Sequence, residues 1–491
     1  MIEVIRRGNS HVDKISILSD GRRYSYRELL DASESVSCFL LSNKPDLQED
    51  RVAFMIAPGF NYVCSLWGIW QAGGVAVPLC LSHPPPSIQF VLKDTGCGIV
   101  IASKQYTTIL SPLCKEMGIH LIPIESIKDI RKVQLPDISE TRRAMILYTS
   151  GTTNQPKGVV TTHKNLRAQI TMLVKAWKWN DRDHTLCVLP LHHVHGIVNV
   201  VSCSLWAGAC CEFLPEFDSD QVFKVFLDRR VNVFMAVPTI YFKLIAKWEQ
   251  YNTEQQEQIA LVLRSFRLMV SGSAALPVSV MQKWEAISGH KLLERYGMTE
   301  LGMAISNPYT GWRQAGKVGL ALEGVSIRLC DDSDKVVDNE PGEIQVRGDS
   351  VFLEYWKQPE ATRVAFTADG WFKTGDVAVE EEGYYRILGR NSIDIIKSGG
   401  YKISALEIEE VLRTHPSIRD CAVVGLENEE WGEVVAAALV PSLEDMKLEE
   451  LQLWLKEQIP PYRLPRKFLL VSELPRNAMG KVMKNEVKKL F

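Results

Sequence analysis

The segment Tyr148-Thr-Ser-Gly-Thr-Thr-Asn-Gln-Pro-Lys-Gly158 gathers hydroxyl side chains, glycines and one lysine directly after an apolar run, Ala144-Met-Ile-Leu-Tyr, that reads as a buried strand. A loop of this composition suits phosphate. Backbone N–H groups and hydroxyls donate hydrogen bonds, and the lysine offsets the charge. Thr149, Ser150, Gly151, Thr152, Thr153 and Lys157 are therefore candidate phosphate ligands. The pattern is not a Walker A loop, which ends in Gly-Lys-Ser/Thr; here Pro156-Lys157-Gly158 closes it. A polar surface turn is the bland alternative, and eleven residues of this composition are hard to obtain by chance.

Four further motifs follow in order: Ser271-Gly-Ser-Ala-Ala275, Arg295-Tyr-Gly-Met-Thr-Glu300, Trp371-Phe-Lys-Thr-Gly-Asp376 and Arg476-Asn-Ala-Met-Gly-Lys481. Each alone is an ordinary turn or strand end, but five in register from 148 to 481 resemble the acyl-adenylating superfamily, which includes acyl-CoA synthetases, luciferases and peptide-synthetase adenylation domains. The resemblance implies that Tyr296 stacks on the adenine of ATP and that Ser273 and Ala274 line its other side. It further implies that Thr299 contacts the α-phosphate, that Glu300 holds Mg²⁺ against the phosphates, and that Asp376 and Arg390 reach the ribose. A hard cation with a carboxylate ligand is the chemistry expected for a nucleoside triphosphate. The family usually has glycine where this chain has Asn154, and asparagine tolerates left-handed backbone better than most residues.

The charges suggest the mechanism. A carboxylate is repelled by ATP, so attack at the α-phosphorus needs cations where negative charge collects in the transition state. By resemblance, Lys481 bridges the attacking carboxylate and the α-phosphate. Transfer of the acyl group to the thiol of CoA then needs Lys481 moved away, which the family achieves by rotating a small C-terminal domain about a hinge, here near Arg390 to Asp394. After rotation Ser398, Gly399 and Gly400, within Lys397-Ser-Gly-Gly-Tyr-Lys402, border the pantetheine tunnel; a simple glycine turn is the alternative.

The acid is addressed by a second resemblance. Leu189-Pro-Leu-His-His-Val-His-Gly-Ile-Val-Asn199, Val-Ser-Gly-Ser-Ala-Ala-Leu-Pro277 and Glu-Arg-Tyr-Gly-Met-Thr-Glu300 are similar to malonyl-CoA synthetases. In the family the histidine at the position of His193 lies near the carboxylate and gates the acyl pocket. Zinc at His192-His193-Val194-His195 is disfavoured, since no acidic partner is near and, on a strand, neighbouring side chains point oppositely. A dicarboxylate brings a second charge into a water-poor pocket, and that charge must be paired. Arg295 suits it through its planar fork, Ser273 can add a hydrogen bond, and Lys243 stands where bacterial malonyl-CoA synthetases have arginine. The alternatives are a structural ion pair at Arg295 and a solvated Lys243. A short- or medium-chain monocarboxylate ligase, a carrier-protein charging domain and a non-catalytic nucleotide-binding scaffold remain rival functions.

These residues need a scaffold of matching size. Over residues ~50–275, short apolar runs such as Val52-Ala-Phe-Met-Ile, Gly98-Ile-Val-Ile-Ala and Val231-Asn-Val-Phe-Met-Ala-Val alternate with helical periods at Tyr62 to Ala72 and Ile240 to Glu249, which argues parallel sheets flanked by helices. Gly342-Glu-Ile-Gln-Val-Arg-Gly suggests a smaller antiparallel sheet. From ~391 the texture is that of a compact α+β unit, with helices at Ala405 and at Leu448 to Gln458. The expected fold is α/β: a large N-terminal adenylating domain of stacked subdomains over 1–390 and a small mobile C-terminal domain over 391–491. At 491 residues, 46% hydrophobic and 23% charged, the chain is plainly globular, and a net charge of −3 offers nucleic acid nothing. Eleven cysteines without CxxC spacing read as reduced intracellular thiols. The uncharged stretches Val52 to Leu92 and His184 to Cys211 are interrupted by prolines, glycines or histidines, so no membrane span is expected. The N-terminus lacks an apolar signal region. Resemblance points to the mitochondrial matrix, and otherwise to the cytoplasm.

Overall fold

The computed structural model describes every residue except 1, 43, 129, 150–155, 400, 443–445 and 478–479. Four sheets organise the described residues. In the first, the strands Val75–Pro78, Arg51–Met55, Ile99–Ala102 and His120–Pro123 run parallel, and Arg143–Thr149 joins them parallel at one side. Their apolar residues are buried on both faces because helices such as Phe60–Gln71 cover the sheet, as all-parallel strands require. Arg143–Thr149 then turns back into Lys157–Thr162 antiparallel, with Thr149 opposite Lys157 and Tyr148 opposite Gly158. Thr149 and Lys157, at the two ends of the phosphate-type segment, are thus fixed by strand register.

The second and largest sheet is parallel through its middle, where His184–Cys187, Val233–Ala236, Leu268–Ser271 and Leu293–Met298 lie in that order. Val233–Ala236 feeds the helix Pro238–Trp248, which begins with proline at its first position, where the missing N–H costs nothing. Ser271, at the carboxyl end of Leu268–Ser271, lies opposite Glu294, so Arg295 and Tyr296 follow just beyond that strand's end, the place where open α/β sheets bind ligands. One core beneath both sheets contains the fully buried Trp67, Trp70, Trp177 and Trp284.

A third, antiparallel sheet carries Phe372–Glu381 against Tyr384–Arg390, with Asp376 opposite Arg390. Its last strand ends at Arg390, and the fourth sheet begins at Ile395 with a separate core built on Ile396, Ile403, Ile408 and Leu439. The helices Ala405–Leu412 and Leu448–Gln458 cover that last sheet. No helix among the described residues is long and apolar enough to cross a membrane.

One expectation fails locally. His192 and His193 are not on a strand: the strand stops at Cys187, and His195–Ser202 forms a π-helix. Pro190 cannot supply a ladder N–H, so the chain leaves the sheet in a turn. The rings of His192 and His193 consequently lie together, 4.0 Å between centroids, instead of on opposite faces. The π-helix, a form frequent at functional sites, then brings His195 inward until it is 1% exposed.

Candidate active site

Three motif residues meet around one carboxylate. Asp376 Oδ2 accepts from the Tyr296 hydroxyl at 2.7 Å, and Asp376 Oδ1 accepts from Arg390 Nε at 2.9 Å. Cross-strand register places Asp376 and Arg390 opposite each other, while Tyr296 arrives from the end of Leu293–Met298. Burial works against the Arg390 charge, but Asp376 more than offsets it and holds the guanidinium firmly protonated. An aromatic face beside a carboxylate and a guanidinium can receive a base and the hydroxyls of its sugar.

Thr299 and Glu300 occupy the turn between Leu293–Met298 and Gly302–Ser306. Glu300 is 7% exposed and its Oε1 accepts from the Tyr355 hydroxyl at 3.0 Å. Burial raises its pKa, and no cationic side chain among the described residues forms an ion pair with it. The Lys157 ammonium stands 4.9 Å above the same Tyr355 ring. Tyr355 therefore links the hairpin lysine to the buried carboxylate, a role no sequence motif signalled, because it depends on the pairing of Tyr355 with Val159. Among the described residues no group of three His, Cys, Asp or Glu could hold a metal. A lone carboxylate nevertheless fits Mg²⁺ carried by a triphosphate, since that ion keeps phosphate and water for most of its ligands. Thr149 and Lys157 lie opposite each other at the ends of their strands; Ser150, Gly151, Thr152 and Thr153 lie outside the described residues.

A second cluster lies where Leu268–Ser271 ends. Arg295 is only 3% exposed, and its guanidinium lies so close over Gly272 that an added Cβ would sit 2.5 Å from Cζ. Arg295 Nη2 donates to Ser273 Oγ at 3.4 Å, and Ser273 Oγ is 3.1 Å from His195 Nδ1. Ser273 holds a left-handed backbone, φ +70°, which costs a non-glycine residue about 1–3 kcal/mol and is typical of ligand sites. Arg295 Nε and His195 Nε2 have no partner among the described residues. Burial, and then the Arg295 charge, holds His195 neutral. Burial also lowers the Arg295 guanidinium to about 9, so it is still charged at neutral pH. The neighbouring Glu294 forms no ion pair with it: burial pushes the Glu294 carboxyl up to about 8, with the Arg295 charge acting in the opposite direction. Ala274 follows in the same loop, half-buried. His193 is half-buried as well, and burial followed by the charges of His192 and His83 lowers it to about 3.

The structure does not bring Lys243 into this cluster. Tyr241 and Leu244 take the inner face of their helix, so Lys243 is turned outward, exposed, with its ammonium 5.7 Å from the Phe217 ring. His195, absent from the sequence-derived candidates, takes the place beside Arg295 instead. Its cue was the string His-Val-His, whose last member faces inward only on the π-helix.

Lys481 is exposed on a hairpin of the small unit, its N–H donating to Asn477 Oδ1 at 3.0 Å. The adjoining Gly480, at φ +76°, approaches the large unit so closely that an added Cβ would lie 2.8 Å from Thr239 Oγ1. Ser398 and Gly399 pack instead within their own sheet: Ser398 pairs with Gly432, and Gly399 donates to the Trp431 carbonyl at 2.9 Å. Gly400 lies outside the described residues.

Residues 5–356 match the family described as AMP-binding enzyme, and residues 407–481 match the AMP-binding enzyme C-terminal domain. The chain is 43% identical to a mitochondrial malonate–CoA ligase of Homo sapiens, ACSF3, over 99% of this chain and 92% of that protein. Among solved structures, ATP-bound MatB from Rhodopseudomonas palustris is 31% identical with a TM-score of 0.91, covering 100% of this chain and 98% of the other. The apo form of MatB, with the same identity and coverage, gives 0.81. The fold agrees with these matches, and the chain belongs to the AMP-binding enzyme family.

Proposed function

We propose that this chain is an ATP-dependent, AMP-forming malonate–CoA ligase. The observation that carries the choice of acid is Arg295, a charged guanidinium 3% exposed with no carboxylate in ion-pair contact among the described residues. Leaving such a charge unpaired costs several kcal/mol, and a substrate carboxylate recovers that cost. A fatty or aromatic acid has nothing to offer it. The names of the malonate–CoA ligase relatives support the same reading.

In this reading ATP lies with its adenine on Tyr296 between the Ser273–Ala274 loop and the Asp376–Arg390 pair, which takes the ribose. The hairpin tip from Thr149 to Lys157 cradles the phosphates, with Thr299 on the α-phosphate. Glu300 holds Mg²⁺, which supplies charge neutralisation for the leaving pyrophosphate. Arg295, with Ser273 and His195, binds the distal carboxylate and so orients the proximal one, beside His193, for in-line attack. Lys481 offsets the charge that gathers between attacking oxygen and α-phosphorus. The contact of Gly480 with Thr239, and a likeness greater to ATP-bound than to apo MatB, favour an arrangement suited to this first step. The chain then divides into 1–390 and 391–491, and the smaller unit turns about Arg390–Asp394. That turn withdraws Lys481 and presents Ser398 to Gly400 to the pantetheine of CoA, whose thiol attacks the adenylate carbonyl and releases AMP. The mitochondrial relatives favour the mitochondrial matrix as its location, which organelle fractionation checks.

Malonate-, methylmalonate- and butyrate-dependent ATP–pyrophosphate exchange tests the reading. Malonate should exceed butyrate in kcat/KM by about 100-fold or more, the discrimination expected when a buried charge is left unpaired by the wrong substrate. Equal values would sink the dicarboxylate assignment.

A further inference from the structure

Three residues beyond Lys481, Lys484 opens the helix Lys484–Lys488 and is 9% exposed. Its Nζ lies 2.6 Å from Asp394 Oδ1 and 2.7 Å from Glu409 Oε1. Both carboxylates are held from other directions too. Asp394 Oδ2 accepts from the Arg390 amide at 3.0 Å. Glu409 accepts from the Val423 amide at 2.8 Å and from Arg413 Nη2 at 3.2 Å. With Arg413 the cluster holds two cations and two anions, so it buries no net charge. Burial works to raise the Asp394 carboxyl, yet its neighbours, the Lys484 charge foremost, outweigh it and hold Asp394 below the usual carboxylate range. One ammonium therefore joins the segment after Arg390, the helix Ala405–Leu412 and the C-terminal helix.

The link from Lys484 to Lys481 is short and braced. Arg476 and Val482 form an antiparallel bridge, the Met483 amide donates to the Pro475 carbonyl at 2.8 Å, and the Asn477 amide donates to the Lys481 carbonyl at 2.9 Å. The Lys481 charge also acts on Asp394 directly, contributing to its lowered pKa. A buried ion pair adds little net stability over an apolar contact, but it fixes which groups meet and in what orientation. Here it ties the hairpin to the very segment that connects the two units.

We propose that Lys484 is a positioning residue for Lys481: it fixes the Lys481 hairpin to Asp394, so that the cation of the first half-reaction is presented and withdrawn together with the interdomain segment. The inference rests on the assignment of Lys481 under Proposed function. Lys484 itself touches neither substrate nor reacting atoms, so its loss should misplace Lys481 without touching the acyl transfer to CoA.

The test uses full-length Lys484→Met, Asp394→Asn and the double variant, each assayed for malonate-dependent ATP–pyrophosphate exchange and for thioester formation from supplied malonyl-adenylate and CoA. Lys484→Met should lower kcat of exchange by about 100-fold, as expected for a reacting group displaced by about 1 Å, with KM for ATP and the transfer rate within about threefold of wild type. Asp394→Asn should lower exchange similarly, and the double variant should exchange no worse than the poorer single, because one link is broken in all three; the unchanged transfer rate is expected of Lys484→Met, since Asp394 also lies in the turning segment. Equal losses in both half-reactions, tracking the folded fraction by circular dichroism, would overturn the proposal and leave Lys484 a structural pin. Unchanged exchange in the folded variants would overturn it as well. Should Lys484→Met fail to fold, Lys484→Gln, which removes the charge and keeps a donor toward both carboxylates, takes its place with the same expected split. A Lys481→Ala control that keeps full exchange would instead remove the assignment of Lys481, whatever Lys484 does.

Discussion

Two buried cations, Arg295 in the large unit and Lys484 in the small one, differ in whether a carboxylate pairs them. Lys484 has two carboxylates within 2.7 Å. Arg295 has one serine hydroxyl at 3.4 Å, a neutral histidine beyond it, and no ion-paired carboxylate among the described residues. A chain that pairs one buried charge so fully has the means to pair another. The contrast therefore separates a charge that serves the fold from one kept for a ligand. Local strain agrees, since the left-handed Ser273 sits beside Arg295.

The sharpest way to break this comparison is to remove both charges. Lys484→Met should destabilise the protein by about 3–5 kcal/mol in urea melts, because half-buried Asp394 loses its ion-pair partner and buried Glu409 keeps only Arg413. Arg295→Met should be neutral or stabilising, by up to about 4 kcal/mol, because an unpaired buried charge gives way to an apolar side chain. Destabilisation of the same size in both would erase the distinction. Next in size is pH. The folded pKa of Glu294 is about 8 against an ordinary 4.5, so the stability contributed by its neutral form is full below about 4.5 and disappears as pH rises through about 8. In that upper window the new carboxylate competes with malonate for Arg295, and kcat/KM for malonate should fall while Glu294→Gln flattens the profile. A malonate profile unchanged by Glu294→Gln would show that Glu294 does not face Arg295 electrostatically. The smallest effect belongs to Ser273→Ala, which removes one hydrogen bond worth about 1 kcal/mol and should raise KM for malonate several-fold with kcat for butyrate unaltered.

Much of this was legible along the chain because the motifs are local. Leu293–Met298 carries Arg295 and Tyr296 on adjacent positions, and the string Lys-Thr-Gly-Asp376 supplies the carboxylate that the fold brings to Tyr296 and Arg390. Helices with clean periodicity, such as Pro238–Trp248 and Leu448–Gln458, were readable for the same reason. What escaped depends on partners distant in sequence or on an unusual backbone. Tyr355 matters because it pairs with the strand of Lys157 and reaches Glu300. His195 turns inward through a π-helix that no periodicity announces. Lys243 was expected at the acyl pocket, and the helix phase set by Tyr241 and Leu244 carries it outward. Lys484 looked like one of several C-terminal lysines, and only the fold distinguishes it from its exposed neighbour Lys489.

The central claim is that Arg295 is reserved for the second carboxylate of the substrate. The most direct measurement is the ratio of kcat/KM for malonate to that for butyrate, in ATP–pyrophosphate exchange, for wild type and Arg295→Met. The account predicts a ratio of about 100 or more in wild type that collapses to about 1 in the variant, with butyrate turnover retained. Parallel loss of both substrates, leaving the ratio unchanged, would contradict it and return Arg295 to the fold.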